Sequence, residues 1–174
     1  MSHRKKTRGS ALLEFAFTGV PLIFVLISIA QMGIGMWRYH TLQYAVKTAG
    51  AYLTKHGANC AVSPNSCSVQ IKDAAQVLAN AAFAVPSSSI NLTFSAVDSD
   101  HTTVRSTVTC QLSACLNNTT TWPPASYNNP GQDVRIKADY VFSSALSMVA
   151  PGSGSPVSFG TFHFPGYTQQ TIIF

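Results

Sequence analysis

From Ala11 to Trp37 the chain runs 27 residues with a single charge, Glu14. As an α-helix this run is about 40 Å long, against a hydrocarbon core of roughly 30 Å. It is long enough to cross a membrane with tilt, or to cross and protrude. Beyond it the apolar positions become periodic. Leu42, Val46, Ala49 and Leu53 recur at helical spacing, which predicts an amphipathic helix over 38–57 that Gly57 can end. That stripe suits packing on the chain's own folded part; the competing use is contact with other subunits.

A second helix is expected over 68–84, with Ser68 as its cap and Val69, Ile71, Ala75, Leu78 and Ala82 on its apolar face. Pro86 and three serines then break the chain. Residues 89–98 place Ile90, Leu92, Phe94 and Ala96 on one face, and residues 134–142 place Val134, Ile136, Ala138 and Tyr140 on one face. This is the period of a sheet with one side against a helix. Residues 102–110, with Val104 and Val108, read as a strand between them, 117–133 as a long exposed loop, and 150–156 as Pro/Gly/Ser-rich. The tail 157–174 carries Phe159, Phe162, Phe164, Tyr167 and Phe174, too aromatic for a free tail. It is expected to supply a last strand or an apolar contact surface. The fold class is therefore α+β: a long membrane-spanning helix, an amphipathic extension, and a small antiparallel sheet.

Composition sharpens this outline. Of 174 residues 46% are apolar and only 10% charged, whereas soluble domains carry about 25% charge. The net charge of +5 is lopsided, because Arg4, Lys5, Lys6 and Arg8 precede the apolar run. Beyond Gly9 there are 7 basic residues against 6 acidic ones, so the body offers no footprint for nucleic acid. The basic leader and the lone Arg38 after the run predict a cytoplasmic N-terminus and an exported remainder. Ser28-Ile29-Ala30 has a form that a signal peptidase accepts, but the apolar run is longer than the 7–15 residues of a secretory signal.

Glu14 separates this helix from a plain anchor. An acid within a membrane helix costs about 2.5–3.5 kcal/mol at the centre and less near an interface, and such acids usually have a partner. Upstream lies Arg8-Gly9-Ser10, whose small residues suit close approach of a protease. A cut after Gly9 makes Ser10 the new N-terminus and Glu14 the fifth residue. The new α-ammonium of one subunit could then pair with Glu14 of its neighbour and help fix the register of packed helices.

Other chemistry is sparse. The histidines at 3, 40, 56, 101 and 163 show no metal-ligand spacing, and no nucleophile elbow or P-loop is present. Asp98-x-Asp100-His101 reads as a solvated turn rather than a cation loop, and Asp133 and Asp139 as strand-flanking charges. The chain is expected to be no enzyme and to need no metal or cofactor. Cysteines fall in two local pairs, Cys60/Cys67 and Cys110/Cys115; of the three connectivities open to four cysteines we choose this local one as candidate disulfides on the exported side, over a zinc site whose C-x6-C and C-x4-C spacings are no standard knuckle.

Gly9-Ser-Ala-Leu-Leu-Glu14-Phe15, followed by Pro21, resembles the processing and assembly motif of the type IV pilin superfamily, and most nearly the TadE-like family of tight-adherence (Tad) pilus assembly proteins. The resemblance covers Gly9 to about Tyr52. It implies cleavage between Gly9 and Ser10 by a prepilin peptidase, assembly through Glu14 and Phe15, and a helix bent at Pro21. Where the family's helix ends in an Ala-Ala-Arg type sequence, this chain has Thr48-Ala49-Gly50-Ala51-Tyr52. The implied parts are a leader 1–9, a transmembrane helix 10–37, an amphipathic extension 38–57 and a pilin-like exported domain 58–174. The implied role is a minor pilin or pseudopilin of a Tad (Flp-type) pilus or related secretion or adhesion apparatus. Its partners would be other pilins and the inner-membrane assembly platform of a bacterium, with the exported domain periplasmic or outside the cell in a pilus. The alternative is a single-pass anchored binding module with an uncleaved N-terminus.

Overall fold

The computed structural model describes residues 8–59, 69–83, 85–143 and 161–173. Helix α1 (Arg8–Thr54) is followed by α2 (Ile71–Ala81), strands β1 (Ile90–Val97) and β2 (Val104–Gln111), the short helix α3 (Leu112–Cys115), and strands β3 (Asp133–Ser143) and β4 (Thr161–Thr171). The fold is α+β, a long N-terminal apolar helix followed by a four-stranded sheet. All three pairings are antiparallel, in the order β2-β1-β3-β4. Two compact units divide at Met36 and Trp37, and the second comprises Trp37–Ser143 with Thr161–Phe174.

The core of the second unit follows from the two periodicities. Ile90, Leu92, Phe94 and Ala96 of β1 and Val134, Ile136, Ala138 and Tyr140 of β3 are all buried. Register brings Leu92 opposite Ala138 and Phe94 opposite Ile136 on one face of the sheet. The α1 stripe Leu42, Val46, Ala49 and Leu53 is buried in the same cluster, so it packs on the chain's own sheet. Gly166 of β4 permits that approach: a Cβ there would lie 3.1 Å from Val46 Cγ2 and 3.4 Å from Leu42 Cγ. Gly50 does the same from the helix, since its Cβ would meet Thr168 Cγ2 at 2.9 Å.

Polar contacts reinforce this seam. Gln43 Nε2 donates to the Pro165 carbonyl at 2.9 Å, and Gln43 Oε1 accepts from the Tyr167 amide at 3.4 Å. Gln170 Nε2 donates to the Lys47 carbonyl at 3.2 Å. The Arg38 guanidinium donates to Tyr140 Oη at 2.7 Å and lies over the Phe142 ring.

Three expectations need correction. The second helix is shorter than 68–84, and Ser68 lies outside the described residues. Gln70 precedes Ile71 as the cap, and its amide donates to Asp73 Oδ2 at 3.0 Å. The amides of Ile71 and Lys72 donate to the carbonyls of Thr120 and Asn118, so a distant loop satisfies the open end of α2.

That loop is largely exposed, as expected over 117–133, but it carries a buried anchor that the expectation lacked. Trp122 within it is buried and packs against Phe94, with ring centroids 5.4 Å apart and the planes tilted by 58°. Its Asn, Thr and Pro residues hide one large apolar anchor.

Asp133, read as a flanking charge, is buried. It accepts from Gln169 Nε2 at 2.7 Å and lies 2.8 Å from His101 Nδ1. Asp139 stands within β3 and pairs with His163 at 2.9 Å. Burial pushes the Asp133 carboxyl up, but hydrogen bonds from Gln169, Thr171 and His101 outweigh it and hold the group below its ordinary value. A depressed folded value contributes stability above the unfolded value and loses it as pH falls through the folded one. The unfolding midpoint of the full chain in detergent should therefore fall with pH below about 4, the ordinary carboxyl range. The Asp133→Asn variant should show a shallower fall.

Overpacking the seam gives a second measurement. A branched side chain in Gly166→Val must displace Val46 and Leu42, and should destabilise by about 1–3 kcal/mol in chemical denaturation.

Candidate functional site

The candidate site is the N-terminal part of α1, together with the residues that give it chemistry. In the first unit its apolar side chains face outward all round. Leu22, Ile23, Phe24, Val25, Leu26 and Ile27 are consecutive and all exposed. A helix that faces one core buries one stripe, so an apolar surface on every side calls for lipid or other helices as solvent. The described helix from Leu13 is long and apolar enough to cross a membrane.

Two hydroxyls within this helix are satisfied internally. Thr18 Oγ1 donates to the Glu14 carbonyl, and Ser28 Oγ donates to the Phe24 carbonyl at 2.8 Å. Such back-bonding to the preceding turn lets Ser and Thr sit in hydrocarbon without open donors.

Pro21 lies inside α1 and brings no amide hydrogen, so the Phe17 carbonyl loses its usual donor. Gly19, between them, sits where a Cβ would be 3.3 Å from the Phe15 ring. Phe15 thus folds along the groove that Gly19 opens, while remaining 68% exposed. Glu14 is exposed beside it and makes none of the ion pairs found among the described residues, which are His101–Asp133, Arg105–Asp98 and His163–Asp139.

Gly9 and Ser10 fall in the first turn of α1, which begins at Arg8. The first amides of a helix lack intrahelical acceptors, so this turn is the cheapest to unwind. The sequence motif is thus laid along one helix: the Gly9–Ser10 bond at its start, Glu14 and Phe15 next, Pro21 further in.

Residues 9–50 match the family model of TadE-like protein. No curated protein and no solved structure matches this chain. The matched segment holds Gly9, Ser10, Glu14, Phe15 and Pro21, and it ends at Gly50, where a Cβ would meet Thr168 of β4. The similarity therefore reaches past the apolar run into the part of α1 that packs on the sheet.

The remaining candidates lie outside that segment. Cys110 and Cys115 form a disulfide with Cα atoms 5.6 Å apart, tying the end of β2 to α3. Closing so short a loop stabilises by about 2 kcal/mol on the chain-entropy model. Cys60 and Cys67 lie outside the described residues.

Asp98, Asp100 and His101 face different partners. Asp98 pairs with Arg105, Asp100 accepts from the amides of Thr102 and Thr103, and His101 turns to Asp133. They form a hairpin turn that holds β1 to β2. His101 adopts a φ of 60°, uncommon for a residue with a Cβ, and its ring reaches Asp133 from there. Sequence spacing carried no sign of that reach.

A charge placed mid-run tests the lipid environment of the helix. Val25→Arg should cost about 2.5–3.5 kcal/mol of insertion free energy and shift the full chain into the alkali-extractable fraction of membranes.

Proposed function

We propose that this chain is a minor pilin or pseudopilin of a Tad-type pilus or a related secretion or adhesion apparatus. In this reading residues 1–9 are a leader held in the cytoplasm of a bacterial cell. A prepilin peptidase cuts between Gly9 and Ser10. The helix from Ser10 anchors the chain in the inner membrane and later packs among the helices of neighbouring pilins. The chain is a substrate of the peptidase and performs no catalysis itself. Its folded domain stands on the outer side of the membrane, or at the surface of the assembled structure.

The observation that carries this reading is a carboxylate exposed on an apolar helix, outside the ion pairs among the described residues and at a fixed distance from a Gly–Ser bond in that helix's first turn. An anchor with no other task gains nothing from Glu14. A new α-ammonium at Ser10 gives it a partner of opposite charge on an adjacent copy, where low dielectric strengthens the attraction. The match to TadE-like protein over residues 9–50 supports the same reading, because it spans the motif and the helix that would carry assembly. Relation to a pilus platform and to sister pilins follows from that resemblance.

Mass spectrometry of the chain expressed with a prepilin peptidase should give a mature N-terminus at Ser10. A chain beginning at Met1 or Gln31 would overturn the proposal. Glu14→Ala should leave cleavage largely intact and sharply reduce recovery of the chain in sheared surface filaments or in the assembled complex.

A further inference from the structure

Where α1 enters the folded unit, large aromatic side chains are left outside the core. Phe83, just past the end of α2, is 78% exposed, and Trp37 is 50% exposed. Their rings meet edge to face with centroids 6.0 Å apart. A third aromatic lies at the same end. Phe162, near the start of β4, is 52% exposed and opposite Phe142, whose ring lies under the Arg38 guanidinium. Successive contacts of Tyr39 with Phe164, Gln43 with Pro165 and Lys47 with Gln170 show that β4 starts at the Trp37 end of the unit.

We propose that Trp37 and Phe83, with Phe162 beside them, form an aromatic collar that seats the folded unit in the headgroup–acyl boundary of a phospholipid bilayer. The inference rests on the membrane-spanning reading of residues 13–36. Continuity identifies the occupant. Trp37 follows Met36 in one uninterrupted helix, and Met36 closes a run of exposed apolar side chains reaching back to Leu13. A membrane that takes up that run must meet water near Trp37. Aromatic side chains concentrate at that depth, and Trp supplies an apolar body with a polar N–H.

Phe83 adds what one helix cannot. It comes from a different element of the same folded unit, so two attachment points fix the unit's tilt as well as its height. Arg38 completes the arrangement by turning its charge inward to Tyr140 and Phe142, leaving the collar apolar.

The chain's two tryptophans make the test direct, because Trp122 is buried in the core and serves as an internal reference. The full chain is placed at one copy per nanodisc, in phosphatidylcholine carrying bromine either near the headgroup end of the acyl chain or deep within it. Three chains are compared: the natural sequence, Trp37→Phe combined with Phe83→Trp, and Trp37→Phe combined with Ile27→Trp. Near-ultraviolet circular dichroism confirms that each is folded.

Emission from positions 37 and 83 should fall at least two-fold with the shallow bromine and less with the deep one. Position 27 should show the reverse order, and Trp122 should stay unquenched. Quenching at position 27 without quenching at position 83 overturns the collar while leaving the spanning helix intact. Absence of quenching at both overturns the spanning reading, and the collar with it. A blue shift at position 83 that appears only with several copies per disc, and without bromine quenching, marks a contact between copies and also overturns the lipid assignment.

Discussion

Everything in the folded unit depends on how closely α1 approaches β4. Two glycines face this seam, Gly50 on the helix and Gly166 on the strand, and each leaves no room for a methyl group without displacement. Because the backbones come this near, Leu42 and Val46 reach the sheet and join the cluster of Leu92, Phe94, Ile136 and Ala138. One helix therefore serves two solvents. Its apolar N-terminal turns are exposed all round, while its last turns are buried on one stripe.

The polar contacts give the seam direction. An apolar stripe alone tolerates sliding along the helix axis, but Gln43 engages both Pro165 and Tyr167, and Gln170 engages the Lys47 carbonyl. These bonds fit one register. On the opposite face of the sheet, Arg135 donates to Gln169 and stacks on Tyr167, while Gln169 in turn reaches Asp133 and the His101 carbonyl. The hairpin turn, β3 and β4 are thus cross-tied on the side that faces away from the helix. A sheet of four strands with one helical layer gains its rigidity from both sets.

Much of this was legible from local patterns. Period two in β1 and β3 and the stripe in α1 each depend on side chains a few positions apart. The placement of the candidate motif was equally legible, since an unbroken apolar run puts Gly9, Glu14, Phe15 and Pro21 on one contiguous helix. What escaped depends on residues far apart in sequence. Asp133 resembles any charge at a strand start, and its burial is set by His101 from a turn and by Gln169 from another strand. Trp122 sits among Asn, Thr and Pro residues whose composition signals a loop, yet Phe94 pulls it into the core. Gln70 is a poor cap by residue type, and the start of α2 forms there because the carbonyls of Asn118 and Thr120 wait for its first amides.

The Gln43 contacts have one more effect. A strand at the end of a sheet presents open amides and carbonyls to any extended chain that drifts past, and this is how cross-β polymers begin. At Pro165 the strand has no amide to offer, and its carbonyl is already occupied by a side chain from the chain's own helix. The neighbouring Tyr167 amide is occupied too. The middle of this border is thus closed to strand addition by an intruding chain.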